Sequence, residues 1–219
     1  MVVRENFEKS LMELQDKILE ISHLAAEAIE KSFNALKNQD IDLALEVIEE
    51  DVAIDELDVD INNFIIWLIA KEQPVSRDLR KIIGALKITA EIERVADFAV
   101  NIAKATVKMG EGDSFLASTN LEQMKDLSLQ MLEKAVRAFI EEDIALAKEV
   151  GLLDDQVDDY YVETSKSITS RLKEQPETLN QMIQLLFINR HIERTADHIT
   201  NIAENAAYLI KGRRYDFNS

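Results

Sequence analysis

The chain has no cysteine, and its 219 residues include only 5 glycines and 2 prolines. Without cysteine there is no disulfide, no thiolate metal site and no cysteine nucleophile. So few turn-formers mean few turns and long elements. Aromatic residues make up 6%, and the β-branched residues fall within helical periods rather than alternating runs. These absences predict an all-α protein. The most apolar run, residues 64–70, is far shorter than the ~20 residues that a membrane-spanning helix needs. The opening residues Met1-Val2-Val3-Arg4-Glu5-Asn6 have no apolar signal-peptide core. Together with the missing cysteines, this points to a cytoplasmic protein that does not span the membrane.

Positive charge is also scarce. There are 25 Lys and Arg against 42 Asp and Glu, for a net charge of −17. Nucleic acid is bound through phosphate contacts from Lys and Arg, and anionic membrane surfaces draw basic segments. Neither fits this chain. A multivalent cation or a basic protein surface fits better. There is no Gly-rich phosphate loop, nucleophile elbow or dinucleotide fingerprint.

What the chain does have is an internal repeat. Glu93-Arg94-Val95-Ala96-Asp97 recurs as Glu193-Arg194-Thr195-Ala196-Asp197, and Asn101-Ile102-Ala103 as Asn201-Ile202-Ala203. Upstream, Lys71-Glu72-Gln73-Pro74 recurs as Lys173-Glu174-Gln175-Pro176. Breakers divide the chain into six long helical segments. The first runs from about Glu5 to Lys37. Asp40 caps the second, which ends at Gln73 before Pro74. Ser76 caps the third, closed by Gly110-Glu111-Gly112. The fourth runs from near Ser118–Asn120 to Glu141–Glu142. Asp143 caps the fifth, which ends at Pro176, and the sixth runs from Glu177 to Gly212. The predicted fold is a tandem repeat of two antiparallel three-helix bundles, residues 1–112 and 113–219. The tail after Gly212 is expected to fray.

Residues four apart share a helix face. Four carboxylate pairs with that spacing correspond between the halves: Asp51 with Asp55, Glu93 with Asp97, Asp154 with Asp158, and Glu193 with Asp197. Their heptad rows are otherwise largely apolar, as in Leu79, Leu86, Glu93, Val100 and Leu179, Leu186, Glu193, Thr200. On the second helix the rows are Ile48, Asp55, Asn62, Ile69 and Ala44, Asp51, Asp58, Ile65. Carboxylates in such rows face a neighbouring helix, where unpaired they are costly and have raised pKa values. A bound cation would relieve that. An all-oxygen donor set suits magnesium, calcium, manganese or iron, with Asn101 and Asn201 as further donors; zinc suits it less. A plainer reading stands beside this one. In so acidic a chain, carboxylates four apart also arise by chance, and Arg94 and Arg194 could neutralise them from neighbouring helices. Asp58, Asp60, Asp155 and Asp159 read as a solvated face.

Of the three histidines, His23 lies in a single Glu-x-x-His spacing with Glu20, where a di-iron bundle wants two. His198 reads as a surface or interhelical residue. Phe64 and Trp67 read as core residues ahead of interface ones.

The segments Gln73-Pro74, Asp78-Leu79-Arg80, Glu91 through Asp97 with Asn101-Ile102-Ala103, and His191 through Glu204 with Tyr208 to Gly212, resemble the two repeats of the PhoU family over nearly the whole chain. Val95-Ala96 and Thr195-Ala196 stand where many members have Ile-Gly. The resemblance implies a cytoplasmic, non-enzymatic and commonly dimeric regulator. It would restrain the phosphate-starvation response by acting between the ATPase subunit PstB of the Pst phosphate transporter and the sensor histidine kinase PhoR. It also implies metal binding at the positions matching the family's E(D)-x-x-x-D motifs: Asp51, Asp55, Glu93, Asp97, Asp154, Asp158, Glu193 and Asp197. A carboxylate-bridged iron or manganese redox enzyme of the ferritin type is the rival reading.

Overall fold

The computed structural model describes residues 2–110, 115–213 and 215–217. Among the described residues the chain forms six α-helices: α1 (Val2–Asn38), α2 (Ile41–Glu72), α3 (Ser76–Met109), α4 (Leu121–Ile140), α5 (Ile144–Glu174) and α6 (Leu179–Lys211). Two short 3₁₀ turns, Leu116–Ser118 and Pro176–Thr178, precede α4 and α6. The expected boundary between residues 112 and 113 lies outside the described residues.

The turn from α1 to α2 and the turn from α4 to α5 are built alike. Gln39 and Glu142 adopt the left-handed conformation, with φ of 55° and 54°. The amides of Asp40 and Asp143 then reach back to the carbonyls of Ala35 and Ala138, at 2.9 and 3.0 Å. This closes the preceding helix as a Schellman turn does. The same aspartates cap the next helix, Asp40 accepting from the Leu43 amide and Asp143 from the Ala145 amide. One residue thereby ends one helix and starts the next. α3 departs from expectation: Val75, extended and without a capping side chain, holds the cap place expected of Ser76. α6 begins later than expected, because residues 176–178 wind into the tighter turn.

Within each half every helix packs on the other two, α1 with α2 and α3, and α4 with α5 and α6. The halves then join through α3 against α6 and α1 against α4. One continuous core of Ile, Leu, Val, Ala, Met and Phe runs through all six helices. Gly84 on α3 permits one of the closest approaches, since a Cβ there would stand 3.1 Å from the Phe139 ring of α4. Lys37 and Lys125 pair with Glu122 and Glu30 across α1 and α4, at 2.7 and 3.1 Å. Asn180 at the start of α6 donates to the Lys108 carbonyl at the end of α3, at 3.0 Å.

The tail is not simply frayed. Tyr215 and Phe217 pack against the core, Phe217 lies over the buried Gly151, and its amide donates to Glu204 at 2.8 Å. Gly151 makes room for that ring, which nothing in the local sequence announced.

Candidate functional site

The packing of α2 on α3 and of α5 on α6 gathers all eight expected carboxylates into two clusters, one per half. In the first, Asp51 feels the charges of Asp55 on its own helix and Asp97 on α3, and Glu93 feels Asp97, Asp55 and Asp58. In the second, Asp154 feels Asp158 and Asp197, and Glu193 feels Asp197 and Asp158. The same helices meet at the same heights in both halves.

Burial is the main influence on both clusters. Asp154 is only 5% exposed. Its burial, and then Asp158 and Asp197, push its carboxyl up to about 7. Asp51 is half-buried, and burial followed by Asp55 and Asp97 raises it to about 6. Burial also raises Glu93, Asp158, Glu193 and Asp197. Asp55 and Asp158 lie exposed at the rims of the clusters, which corrects the expectation that Asp55 faces a neighbouring helix; the half-buried and buried members hold their charges at a cost.

The two clusters differ in how that cost is met. In the first, Arg94 lies 2.7 Å from Asp97 and 3.5 Å from Glu93. The arginine thus neutralises carboxylates of its own helix, not of a neighbouring one. In the second, Arg194 places its guanidinium over the Phe98 ring of α3, 5.3 Å from the centroid, and with Arg190 offsets the charges of Glu193 and Asp197. Glu193 Oε2 is left buried with no hydrogen-bond partner. Among the described residues, no three His, Asp or Glu are disposed to hold a metal ion with the side chains as they stand. The donor chemistry suits a hard cation, and the Glu193 oxygen is unpartnered though buried. Convergence on an ion would require the carboxylates to turn.

Asp58 corrects the expectation of a solvated face. It is half-buried, accepts from Asn62 at 2.8 Å, and has Oδ1 buried without a partner. Its place in the row Ala44, Asp51, Asp58, Ile65 was the available signal. Asp60, Asp155 and Asp159 are exposed, as expected. His198 is interhelical: Nδ1 lies 2.7 Å from Glu91 Oε2 on α3, and Asn201 donates to the same oxygen at 3.2 Å. Asn201 therefore spends its amide nitrogen on the contact between halves. His23 is exposed beside Glu27. Trp67 is 45% exposed, with Phe64 stacked on it at 5.4 Å. The structure thus corrects its reading as core.

The PhoU domain family model matches the chain twice, at residues 18–106 and 121–206. The chain belongs to the PhoU family. The PhoU homolog of Aquifex aeolicus, a phosphate-specific transport system accessory protein, is 38% identical over 204 residues, covering 93% of this chain and 92% of that protein. The corresponding homolog of Clostridium acetobutylicum is 33% identical over 218 residues, covering 99% of this chain and 100% of its own. The crystal structure of the phosphate transport system regulatory protein PhoU from Streptococcus pneumoniae superposes with a TM-score of 0.88 at 34% identity, covering 96% of this chain and 99% of that one. PhoU from Pseudomonas aeruginosa superposes with a TM-score of 0.86 at 27% identity, covering 94% and 100%. PhoU relatives are named as accessory and regulatory proteins, so the family is non-enzymatic and the redox-enzyme reading is set aside. Among the described residues, no helix is long and apolar enough to cross a membrane.

Proposed function

We propose that this protein is a cytoplasmic regulator that couples phosphate uptake to the phosphate-starvation response, docking on the ATPase subunit PstB of a phosphate transporter and on the sensor kinase PhoR. The observation that carries the reading is the family match in both halves, with PhoU relatives covering nearly the whole chain. The fold supports it: long helices with acidic outer faces supply docking area, and a specific interface needs about 1,200–2,000 Å². Dimerisation is part of the proposal.

The two carboxylate clusters are proposed as sites for a hard cation: magnesium, calcium, manganese or iron. Asp51, Asp55, Glu93 and Asp97 would hold it in the first half, and Asp154, Asp158, Glu193 and Asp197 in the second. Bound there, a cation would neutralise carboxylates that the fold crowds together. The second cluster is the stronger candidate, because it holds the most deeply buried carboxylate, Asp154, and the unpartnered Glu193 oxygen.

Deletion of the gene tests the regulatory reading. Phosphate-starvation genes should then stay on in high phosphate, and the purified protein should bind the ATPase or the kinase at low salt. Normal repression in the deletion strain, with no binding to either protein, would overturn it.

A further inference from the structure

α2 carries an exposed apolar row that the fold does not use. Leu45, Val52, Val59 and Ile66 recur every seven residues and are 45%, 58%, 56% and 65% exposed. At 1.5 Å per residue the row runs about 32 Å along the helix. A seven-residue apolar repeat is the pattern with which one helix seats another. One flank of the row is acidic at the same spacing, through exposed Asp42, Glu49 and Glu56. From residue 41 to residue 70 the helix contains no lysine or arginine. Among the described residues, Asp42, Glu49 and Glu56 make no salt bridge.

The repeat supplies an internal comparison. Asp51 and Asp55 of α2 correspond to Asp154 and Asp158 of α5, and the N-caps Asp40 and Asp143 fall in the same register. In that register the four row positions of α5 are Lys148, Asp155, Val162 and Thr169. Most buried positions stay apolar in both helices, Val47 with Val150, Ile54 with Val157 and Ile65 with Ile168, although buried Ile61 is matched by buried Thr164. The three-helix unit therefore folds with polar residues at three of these four positions, and the wholly apolar version on α2 answers to something outside it.

We infer that the outer face of α2 is the docking surface for an amphipathic helix of another protein, one with an apolar row flanked by lysine or arginine. Charge decides the occupant. A second copy of this chain laid on the same face would set Asp42, Glu49 and Glu56 against their own kind, which is unfavourable. A basic-flanked helix sets its lysines or arginines against that acidic flank. The inference rests on the docking reading above, but the two fail separately. Loss of peptide binding overturns this surface alone, whereas normal repression in the deletion strain overturns the regulatory role.

The test uses the full-length protein and two synthetic helical peptides of four heptads, each with one leucine face. One has lysine flanks and the other glutamate flanks. Trp67 borders the row and is the only tryptophan, so its emission reports occupancy. The lysine-flanked peptide should bind and shift that emission to the blue, and the glutamate-flanked peptide should not. The double variant Val52→Asp, Ile66→Thr, which imports the α5 residues, should weaken binding by at least about tenfold, a loss of ~1.4 kcal/mol. The variant is more acidic than the parent, so binding through net charge alone would persist or tighten in it. That outcome would overturn the inference, as would no binding to the parent. A self-associated species that falls apart in the variant would name a second copy as the occupant and overturn the choice of partner. Should the double variant fold poorly, Ile66→Thr alone with the same two peptides decides the matter.

Discussion

His198 Nδ1 on α6 stands 2.7 Å from Glu91 Oε2 on α3, and this contact ties one three-helix unit to the other. Burial works against the Glu91 carboxylate, but the bonds from His198 and Asn201 outweigh it and hold the group below its usual range. Truncating one partner strands the other in a half-buried place. Glu91→Ala should therefore destabilise by roughly 1–3 kcal/mol. A double-mutant cycle with His198→Ala should return a coupling of about 0.5–3 kcal/mol. Urea unfolding of the four proteins measures it, and additive losses would mean that the contact does not join the halves energetically.

Asp154→Asn should stabilise the protein in the presence of a chelator. The substitution keeps the shape and removes a buried charge set beside Asp158 and Asp197. A gain of about 1–3 kcal/mol is the expected scale. With a saturating hard cation the order should reverse, because an ion bound only to the folded state adds about 2.7 kcal/mol at 100 times its Kd. Melting curves of parent and variant, with chelator and with each of magnesium, calcium, manganese and iron, provide the check. The corresponding change in the first cluster, Asp51→Asn, should weaken ion binding less, since Arg94 already serves Asp97 and Glu93 there.

Glu142 gives a pH dependence away from both clusters. Burial raises its carboxyl, but hydrogen bonds from Arg77 and then Lys81 lower it further, and the net shift is downward. A carboxyl depressed in the folded state contributes stability above its unfolded pKa, and that contribution is lost as pH falls through the folded value. The parent should therefore lose stability below about pH 4.5 more steeply than Glu142→Gln. Equal slopes in acid would show that the pair with Arg77, which is largely exposed, is screened to nothing.

Gln39→Gly should raise stability. Gln39 is a non-glycine residue at φ 55°, a conformation that costs roughly 1–2 kcal/mol. Its Oε1 is buried without a partner. Against this stand its weak contact to the Met109 sulfur at 3.6 Å and the larger freedom of glycine in the unfolded chain. A net gain of about 1 kcal/mol in thermal or urea unfolding is expected, and a loss would mean that the contact under Met109 matters more than the backbone.

The shortage of glycine and proline made the helices legible, and the caps at Asp40 and Asp143 fell where propensity places them. The acidic clusters were legible because a duplicated sequence shows each pair twice and heptad rows show which acids face inward. Asp58 was lost among its exposed neighbours, although its row held the clue. What the sequence could not show depends on contacts between elements distant in the chain. The turning of Arg194 onto Phe98 follows from how two bundles meet, the seat of Phe217 over Gly151 from how the tail folds back on its own half, and the exposure of Trp67 from which face of α2 its neighbours cover; periodicity within one helix carries no trace of any of these.

Only α2 keeps the apolar row, so the duplicated chain presents one such face and not two. With two such faces a single chain would bridge two partner helices; with one, each protomer seats one. Its effect should then follow simple stoichiometry: the output falls in proportion to the copies present until the partner is used up, and further copies change nothing.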